Sequence, residues 1–197
     1  IIPNYDNQNF IIYENSDGHA YSKGISGALN HTFLNGVSFS LTFNHQIVRY
    51  SEIENNQDSF FDMKHSPKWS GGFNIKVPIN KKWSINSSSN YTGVMQLPTV
   101  FEMMDNGEIS SVARSTKSKP FSIHNINVDG ILNNRNEIYF GILNVFNFRQ
   151  KESPLVGYND PNHDKGFSPY FDTSYVYAPN KGRELFIGYR LNIGKKN

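Results

Sequence analysis

Aromatic, methionine and basic side chains are concentrated in three long polar stretches of the sequence, where they are suited to bind a ligand. Aromatic and methionine side chains give adaptable apolar contact, and an arginine guanidinium suits anionic groups. The candidates in these stretches are Phe60, Phe61, Met103, Met104, Arg114, Tyr170 and Phe171. The alternative is that they pack loop against loop or against a covering protein, because most loop residues carry no function of their own.

Residues that could perform catalysis or hold a metal do not form a recognisable pattern. The histidines stand at positions 19, 31, 45, 65, 124 and 163, without a spacing such as His-Glu-x-x-His. Asp160, Asn162 and Asp164 alternate like the start of a calcium loop, but Lys165 stands where such a loop needs glycine and Phe171 where it needs glutamate. No serine or threonine is paired with an evident base. We therefore expect no enzyme activity, no catalytic residue, no metal site and no cofactor.

The composition is unusual for a soluble domain of this size. Of the 197 residues, 37% are hydrophobic and only 18% are charged, whereas about a quarter charged is typical. Asparagine, serine, glycine and tyrosine fill the difference, as in a barrel whose alternate residues face a polar lumen. The formal net charge of +2 is too small to indicate a nucleic-acid partner, and the absence of cysteine excludes a disulfide framework.

Alternation of apolar and polar residues predicts β-strands along most of the chain. The cleanest example is the last one, in which Leu185, Ile187 and Tyr189 share one face. It is long enough to cross a bilayer as a tilted strand, which takes about 9–11 residues. A slip in the pattern of the fifth strand predicts a β-bulge near His124. The predicted strands cover 21–33, 37–44, 69–79, 83–95, 121–132, 137–147 and 183–193.

Connections between these strands alternate strictly in length. Short turns lie near 35, 81 and 134, and long polar loops cover 52–65, 96–120 and 149–174. Short turns on one side and long loops on the other are typical of outer-membrane barrels. The sequence thus predicts an all-β fold, a transmembrane antiparallel β-barrel segment of about seven strands. Since single-chain bacterial barrels have even strand numbers, we expect the other strands to come from elsewhere.

Four short motifs occur in order on the predicted strands. A Tyr-x-Pro and Gly-Arg pattern opens the last strand at 177–188, and Asn-Val-Phe-Asn ends the strand before it at 141–147. The other two lie at 13–25 and 93–98. Together they resemble the C-terminal part of TonB-dependent outer-membrane receptors, especially those of Bacteroidota.

That resemblance implies a plugged barrel of twenty-two strands, of which residues 1–197 are the last part. It implies a multi-pass protein of the bacterial outer membrane that imports a scarce nutrient, such as a ferric siderophore, haem or cobalamin, with energy coupled through TonB. The implied partners are the upstream barrel and plug segment, the TonB complex, a surface lipoprotein and outer-membrane lipids, but no nucleic acid.

Other interpretations of the same pattern remain open. One is a scaffold subunit of a larger outer-membrane complex that transports nothing. Another is a small free-standing barrel in which residues 1–13 supply an eighth strand. The chain begins on a loop-like stretch without an initiator methionine or signal peptide, and we expect it to be a piece of a longer protein.

Overall fold

The described residues of a computed structural model of the chain contain twelve β-strands. The structure describes residues 2–4, 12–14, 18–54, 57–104, 108–153 and 173–193, with the backbone alone for 2–4, 12–14, Glu54 and Met103. The strands are β1 (Ile2–Asn4), β2 (Ile12–Glu14), β3 (Ala20–Thr32), β4 (Ser38–Glu54), β5 (Gln57–Asp62), β6 (Trp69–Pro78), β7 (Trp83–Thr92), β8 (Phe101–Met103), β9 (Ile109–Ala113), β10 (Phe121–Asn133), β11 (Asn136–Leu143) and β12 (Glu184–Leu191). The described part of the chain contains no helix that is long and apolar enough to span a membrane.

The main sheet is antiparallel, with the strand order β12-β11-β10-β7-β6-β4-β3. These are the seven strands that the sequence predicts, and the all-β antiparallel class is confirmed. The sheet is open, because among the described residues β3 pairs only with β4 and β12 only with β11. The strands β1 and β2 pair with each other, so the described part of residues 1–13 adds no eighth strand to this sheet.

The three short turns are closed by their own polar side chains. Asn80 Oδ1 accepts the backbone N–H groups of Lys82 and Trp83 at 2.8 and 2.9 Å. Asn133 Oδ1 accepts those of Arg135 and Asn136 in the same way. Such local bonds favour turns over continued strand. The turns therefore follow directly from the asparagines in the sequence.

Register gives the sheet one apolar and one polar face. Leu41 pairs with Leu29 and Phe73, and on the next strands Val77 pairs with Ile85, which pairs with Val128. We call this side the apolar face. Its exposed members are Ile25, Leu29, Leu41, Phe43, Trp69, Ile75, Val77, Ile85, Tyr91, Ile126, Phe140, Leu185, Ile187, Tyr189 and Leu191.

The opposite side, the polar face, carries amides, hydroxyls and charges. The pairs Ser40–Asn74 and Lys76–Asn86 lie here, and Asn86 donates to Asp129. Near the short turns, Arg190 Nη1 lies 2.8 Å from Glu137 Oε2. Burying unpaired groups of this kind would be costly, so this face requires water or polar partners.

The predicted bulge near His124 is wrong. β10 pairs with β7 in continuous register from Phe121 to Gly130, and the irregularity lies between Ile131 and Asn133, where β10 meets β11. The apolar residues before His124 lie on the polar face, where the Phe121 ring stacks on Phe148 at 5.3 Å. The slip in the pattern therefore marks a change of surroundings and not a change of register.

The long connections are also more ordered than predicted. β4 continues to Glu54 and forms a hairpin with β5, so the stretch 52–65 is largely strand. β8 and β9 form a hairpin of their own within 96–120. The predicted strands 83–95 and 137–147 end earlier, at Thr92 and Leu143, because the residues that follow turn into the loops.

Candidate functional site

The best-buried apolar side chains of the described residues lie beyond the sheet, among the long connections. Leu97, Val100 and Tyr175 are 1–2% exposed and form a cluster, against which Tyr177 packs. Residues that bury apolar area in this way hold their segments in fixed positions. We call the assembly of 93–104, 108–120, 148–153 and 173–183 the loop platform.

Backbone bonds tie the platform to the sheet and to itself. Gly93 N donates to Trp69 O at 2.8 Å, and His65 N donates to Gln96 O at 2.8 Å. Leu97 N donates to Thr116 O at 2.8 Å. These bonds run between segments that are distant in sequence, and they give the connections the order of a small folded unit.

Gln150 joins two of the platform segments. Its Nε2 donates to the carbonyls of Glu152 and Tyr175, both at 3.1 Å. Its Oε1 accepts the N–H groups of Tyr177 and Ala178 at 3.0 and 3.2 Å. One amide thus satisfies backbone groups on both segments, which holds the two tyrosines beside the 150–153 stretch.

The platform contains a cavity of about 410 Å³, here called the platform cavity. The Arg114 guanidinium lies over the Tyr175 ring at 5.0 Å, donates to Ser153 O at 2.5 Å and pairs with Glu102. The cavity therefore combines a stacked cation with an aromatic wall. Its lining residues are Glu102, Arg114, Ser115, Lys117, Lys119, Glu152, Ser153, Tyr175 and Tyr177.

Charges in the platform cavity interact with the tyrosines. Lys119 Nζ lies 2.5 Å from Glu152 Oε1, and the Tyr177 hydroxyl donates to Glu152 Oε2 at 2.7 Å. These two bonds, with that of Lys119 the larger effect, lower the pKa of Glu152 to about 2. Burial, together with the bond to Glu152, raises the pKa of Tyr177. Burial also raises the pKa of Tyr175, whose hydroxyl donates to Ser115 O at 3.0 Å.

This arrangement is suited to ligand binding. Three cations, two carboxylates and two tyrosines line one concave surface. They offer donors for anionic oxygen atoms and aromatic faces for planar rings. Within the described ranges, no three His, Asp or Glu side chains come together as a metal-binding group.

The structure separates the predicted ligand-binding residues. Phe60 and Phe61 lie on β5, where their rings approach Tyr21 at 5.9 Å and Tyr50 at 5.8 Å. Met103 and Met104 lie at the end of β8, and Met104 N donates to Glu108 O at 2.8 Å. Arg114 is the one of the seven that lines the platform cavity among the residues described.

Other predictions fall on residues that the structure leaves undescribed. Tyr170 and Phe171, and the calcium-like run from Asp160 to Asp164, lie outside the described residues. The role of all seven predicted side chains in ligand binding stays a prediction.

The sequence did not indicate Tyr175, Tyr177, Glu152 or Lys119 as site residues. They come from three separate stretches of the chain, and no local pattern connects them. The one signal in the sequence is the Tyr-x-Tyr-x-Pro run before the last strand, which indicates a family-like motif but not a cavity wall.

Two of the family-like motifs contact each other at the corner between β11 and β12. Asn144 and Asn147 both have positive φ, 51° and 54°, a conformation that asparagine tolerates better than most residues. Asn147 Oδ1 accepts Arg183 N at 2.9 Å, and Arg183 Nε donates to Val145 O at 3.0 Å. A Cβ on Gly182 would lie 2.3 Å from Asn147 Oδ1 and 2.5 Å from Arg149 Nη2, so glycine leaves room for these two side chains.

The fold of the chain has counterparts among solved structures. The chain is similar to a point mutant of the ferric enterobactin receptor PfeA of Pseudomonas aeruginosa, at 13% identity and a TM-score of 0.56. It is also similar to the ferric-catecholate import receptor Fiu of Escherichia coli K12 in its closed form, at 9% identity and a TM-score of 0.55. Identities this low show a shared fold alone.

The matches cover 87% and 88% of this chain, but only 22% and 21% of the two receptors. The chain thus spans about a fifth of the length of the receptors that it matches. No protein-family model and no curated protein matches the sequence.

Proposed function

We propose that residues 1–197 form the C-terminal part of the barrel of a TonB-dependent outer-membrane receptor that imports a ferric siderophore or a similar scarce nutrient. The observation that carries the proposal is the two-faced sheet, whose fold matches that of two receptors for ferric catecholate ligands. A face of exposed leucine, isoleucine and aromatic side chains suits lipid, and the opposite polar face suits a water-filled or plugged lumen.

In this proposal seven strands of the eight-stranded main sheet, all except β5, cross the outer membrane. The shortest of them have eight residues and the longest has seventeen, and about 9–11 tilted residues span the apolar layer. The short turns face the periplasm, and the loop platform faces the cell exterior. Trp69 and Trp83, which begin successive antiparallel strands, then lie at opposite interfaces.

The open edges of β3 and β12 call for further strands. Within the described residues each has a partner on one side only, and unpaired backbone groups cannot face lipid. We propose that the upstream part of the receptor supplies the strands between them and the plug. Lys76, Asp129 and Arg190 on the polar face would then lie against the plug, and TonB would act through that missing part.

The platform cavity is the proposed point of ligand capture. Ferric catecholates are anionic and rich in aromatic rings. Arg114 stacked on Tyr175, with Lys117 and Lys119 nearby, offers both charge and ring contact. The loop residues predicted from sequence, Phe60, Phe61 and Met104 among them, would extend this surface toward a surface lipoprotein or the ligand.

An uptake assay tests the proposal. In iron-limited cells that carry the complete receptor, radiolabelled ferric catecholate should accumulate, and an uncoupler should abolish the accumulation. Arg114→Ala should lower ligand affinity about tenfold, because it removes a charge-assisted contact and a stacked cation. Lys81→Ala, a change in an exposed short turn, is the matched control and should have no effect.

Two results would contradict the proposal in different ways. If cells that lack the receptor took up the ligand as fast as cells that carry it, this transport role would be excluded and the scaffold interpretation favoured. Normal uptake by Arg114→Ala at all ligand concentrations would leave transport in place but exclude the platform cavity as the capture site.

A further inference from the structure

Basic side chains form a group at the border of the apolar face, on its long-loop side. Arg49 Nε lies 2.9 Å and Lys68 Nζ lies 2.7 Å from the two oxygens of the same carboxylate, that of Asp62. Lys23 lies on the same face, two residues along β3 from Tyr21, which pairs with Arg49. We call Lys23, Arg49, Lys68 and Asp62 the border cluster.

Register places the border cluster on the apolar side of the sheet and not on the polar side. Tyr21 pairs with Arg49, and Arg49 pairs with Asp62, so the three share one face. Lys23 pairs with Ile47, and Ile25, the next residue of β3 on that face, pairs with His45. The cations therefore follow the apolar side chains of the band on the same face, and Phe60 and Ile53 lie farther along that face in the hairpin of β4 and β5.

The height of the cluster fits a lipid headgroup. The ring centroids of Trp69 and His45 lie 4.1 Å apart, and Trp69 is 54% exposed. We take Trp69 as the end, on the long-loop side, of the band of exposed apolar side chains on the apolar face. Lys23 lies two residues beyond Ile25 along β3, and Arg49 lies four residues beyond His45 along β4. In tilted strands these separations correspond to about 5 and 10 Å along the membrane normal. Tryptophan at an interface lies at the headgroup boundary, so the cations lie at the level of the phosphates.

The cluster keeps a positive charge that is accessible. Arg49 and Lys68 share one carboxylate, their side chains are 42% and 50% exposed, and the Lys23 ammonium lies over the Tyr21 ring at 5.8 Å. The bond from Lys68, and then that from Arg49, lowers the pKa of Asp62, so this carboxylate stays ionised and holds both cations in place. The next acid on this side, Asp58, lies about 13 Å farther along β5 and farther from the apolar band.

We propose that the border cluster binds the phosphomonoester headgroup of a lipid in the outer leaflet, whose acyl chains lie along Ile25, Leu41 and Trp69. The cations of the border cluster match the anionic phosphate of such a lipid, and the exposed apolar side chains next to the cluster match its acyl chains. The inference rests on the proposed membrane location, but it is independent of ligand transport.

Tryptophan quenching in bilayers tests this inference. This chain has two tryptophans, so Trp83→Phe, made in a complete receptor whose upstream tryptophans are also replaced by phenylalanine, leaves Trp69, next to Lys68, as the reporter. Brominated phosphatidic acid and brominated phosphatidylcholine are compared as quenchers in otherwise identical vesicles. We expect a preference of Trp69 for phosphatidic acid.

Variants then assign the preference to the cluster. Lys23→Gln should lower the preference of Trp69 for phosphatidic acid about fivefold, because one cation near an anionic surface usually contributes about that much. Asp62→Asn should raise it, since a carboxylate is removed, whereas a purely structural role would make both variants lose it. Lys81→Gln in a short turn should leave it unchanged.

The outcomes separate this inference from the proposed function. Equal quenching by the two lipids, or an unchanged preference in Lys23→Gln, would overturn the lipid site while supporting the membrane location. Absence of quenching by either lipid would overturn the membrane location itself and the lipid site with it.

Discussion

At the scale of single residues, the corner between β11 and β12 explains why the C-terminal motifs take the form they do. Asn147 holds a positive φ and accepts the N–H of Arg183, and Gly182 leaves room for that bond. The motifs, separated by more than thirty residues, are two halves of one contact. Sequence could show the motifs, but the contact depends on the register between two strands.

We expect Gly182→Ala to destabilise the fold by about 1–3 kcal/mol, because its methyl group displaces Asn147 and breaks the bond to Arg183. Urea unfolding in lipid vesicles, followed by tryptophan fluorescence, measures the loss. In a protein that already carries Asn147→Gly, Gly182→Ala should lower the free energy of unfolding by about 1 kcal/mol less than it does in the parent. Equal costs in the two backgrounds would show that the two residues do not interact.

Glu152 gives the loop platform a dependence on acid pH. Its folded-state pKa of about 2 lies below the ordinary 4.5, so its bonds to Lys119 and Tyr177 stabilise the platform fully above about pH 4.5. That contribution is lost as the pH falls toward 2. Near-UV circular dichroism of the tyrosines should show the change, and Glu152→Gln should remove the Glu152 transition. A variant that titrates like the parent would contradict this assignment.

At the scale of elements, β7 shows how strictly the sheet separates its two faces. Ser87 pairs with Ile75 and Ile126 on the apolar face. Ser88 pairs with Asn74 on the polar face, where Asn125 Nδ2 donates to its hydroxyl at 3.3 Å. Two adjacent residues of the same type thus have opposite surroundings.

Lysine at these two positions should have very different effects. Ser87→Lys places a charge near the middle of the apolar band and should cost about 2–4 kcal/mol, while Ser88→Lys should cost less than about 1 kcal/mol. Folding yield and urea unfolding in vesicles measure both. Similar costs would contradict the assignment of the faces.

The strands were predictable because alternation is a local signal. It gave all seven main strands and the three short turns, whose asparagines supply their own hydrogen bonds. It failed near His124, where Phe121 and Ile123 are apolar but lie on the polar face, beneath the long connections. Periodicity reports which residues share a side but not what covers that side.

The candidate site was only partly predictable for a related reason. Arg114 could be selected because its residue type is suited to anions. The side chains around it come from β8, the 115–119 stretch, the 152–153 stretch and the tyrosines before β12. Their meeting depends on Leu97, Val100 and Tyr175, which bury their side chains together at long range.

At the scale of the whole molecule, we propose that one surface of the sheet contacts lipid and that the other contacts a polar lumen. The best-packed core lies in the loop platform, while the sheet has exposed apolar side chains on one face. A soluble protein rarely exposes so large an apolar surface. Membrane, upstream strands and plug would together supply the partners that both faces and both edges need.

Lipid accessibility along the strands shows which face of the sheet contacts the membrane. This chain has no cysteine, so in a complete receptor whose upstream cysteines are replaced, single cysteines can be placed at Leu29 and Asn30, Leu41 and Thr42, and Ile75 and Asn74. Each is labelled with a fluorophore and reconstituted in vesicles with brominated lipid. We expect strong quenching at Leu29, Leu41 and Ile75 and weak quenching at their neighbours. Equal quenching within the pairs, or none at any site, would contradict the proposed contact with lipid.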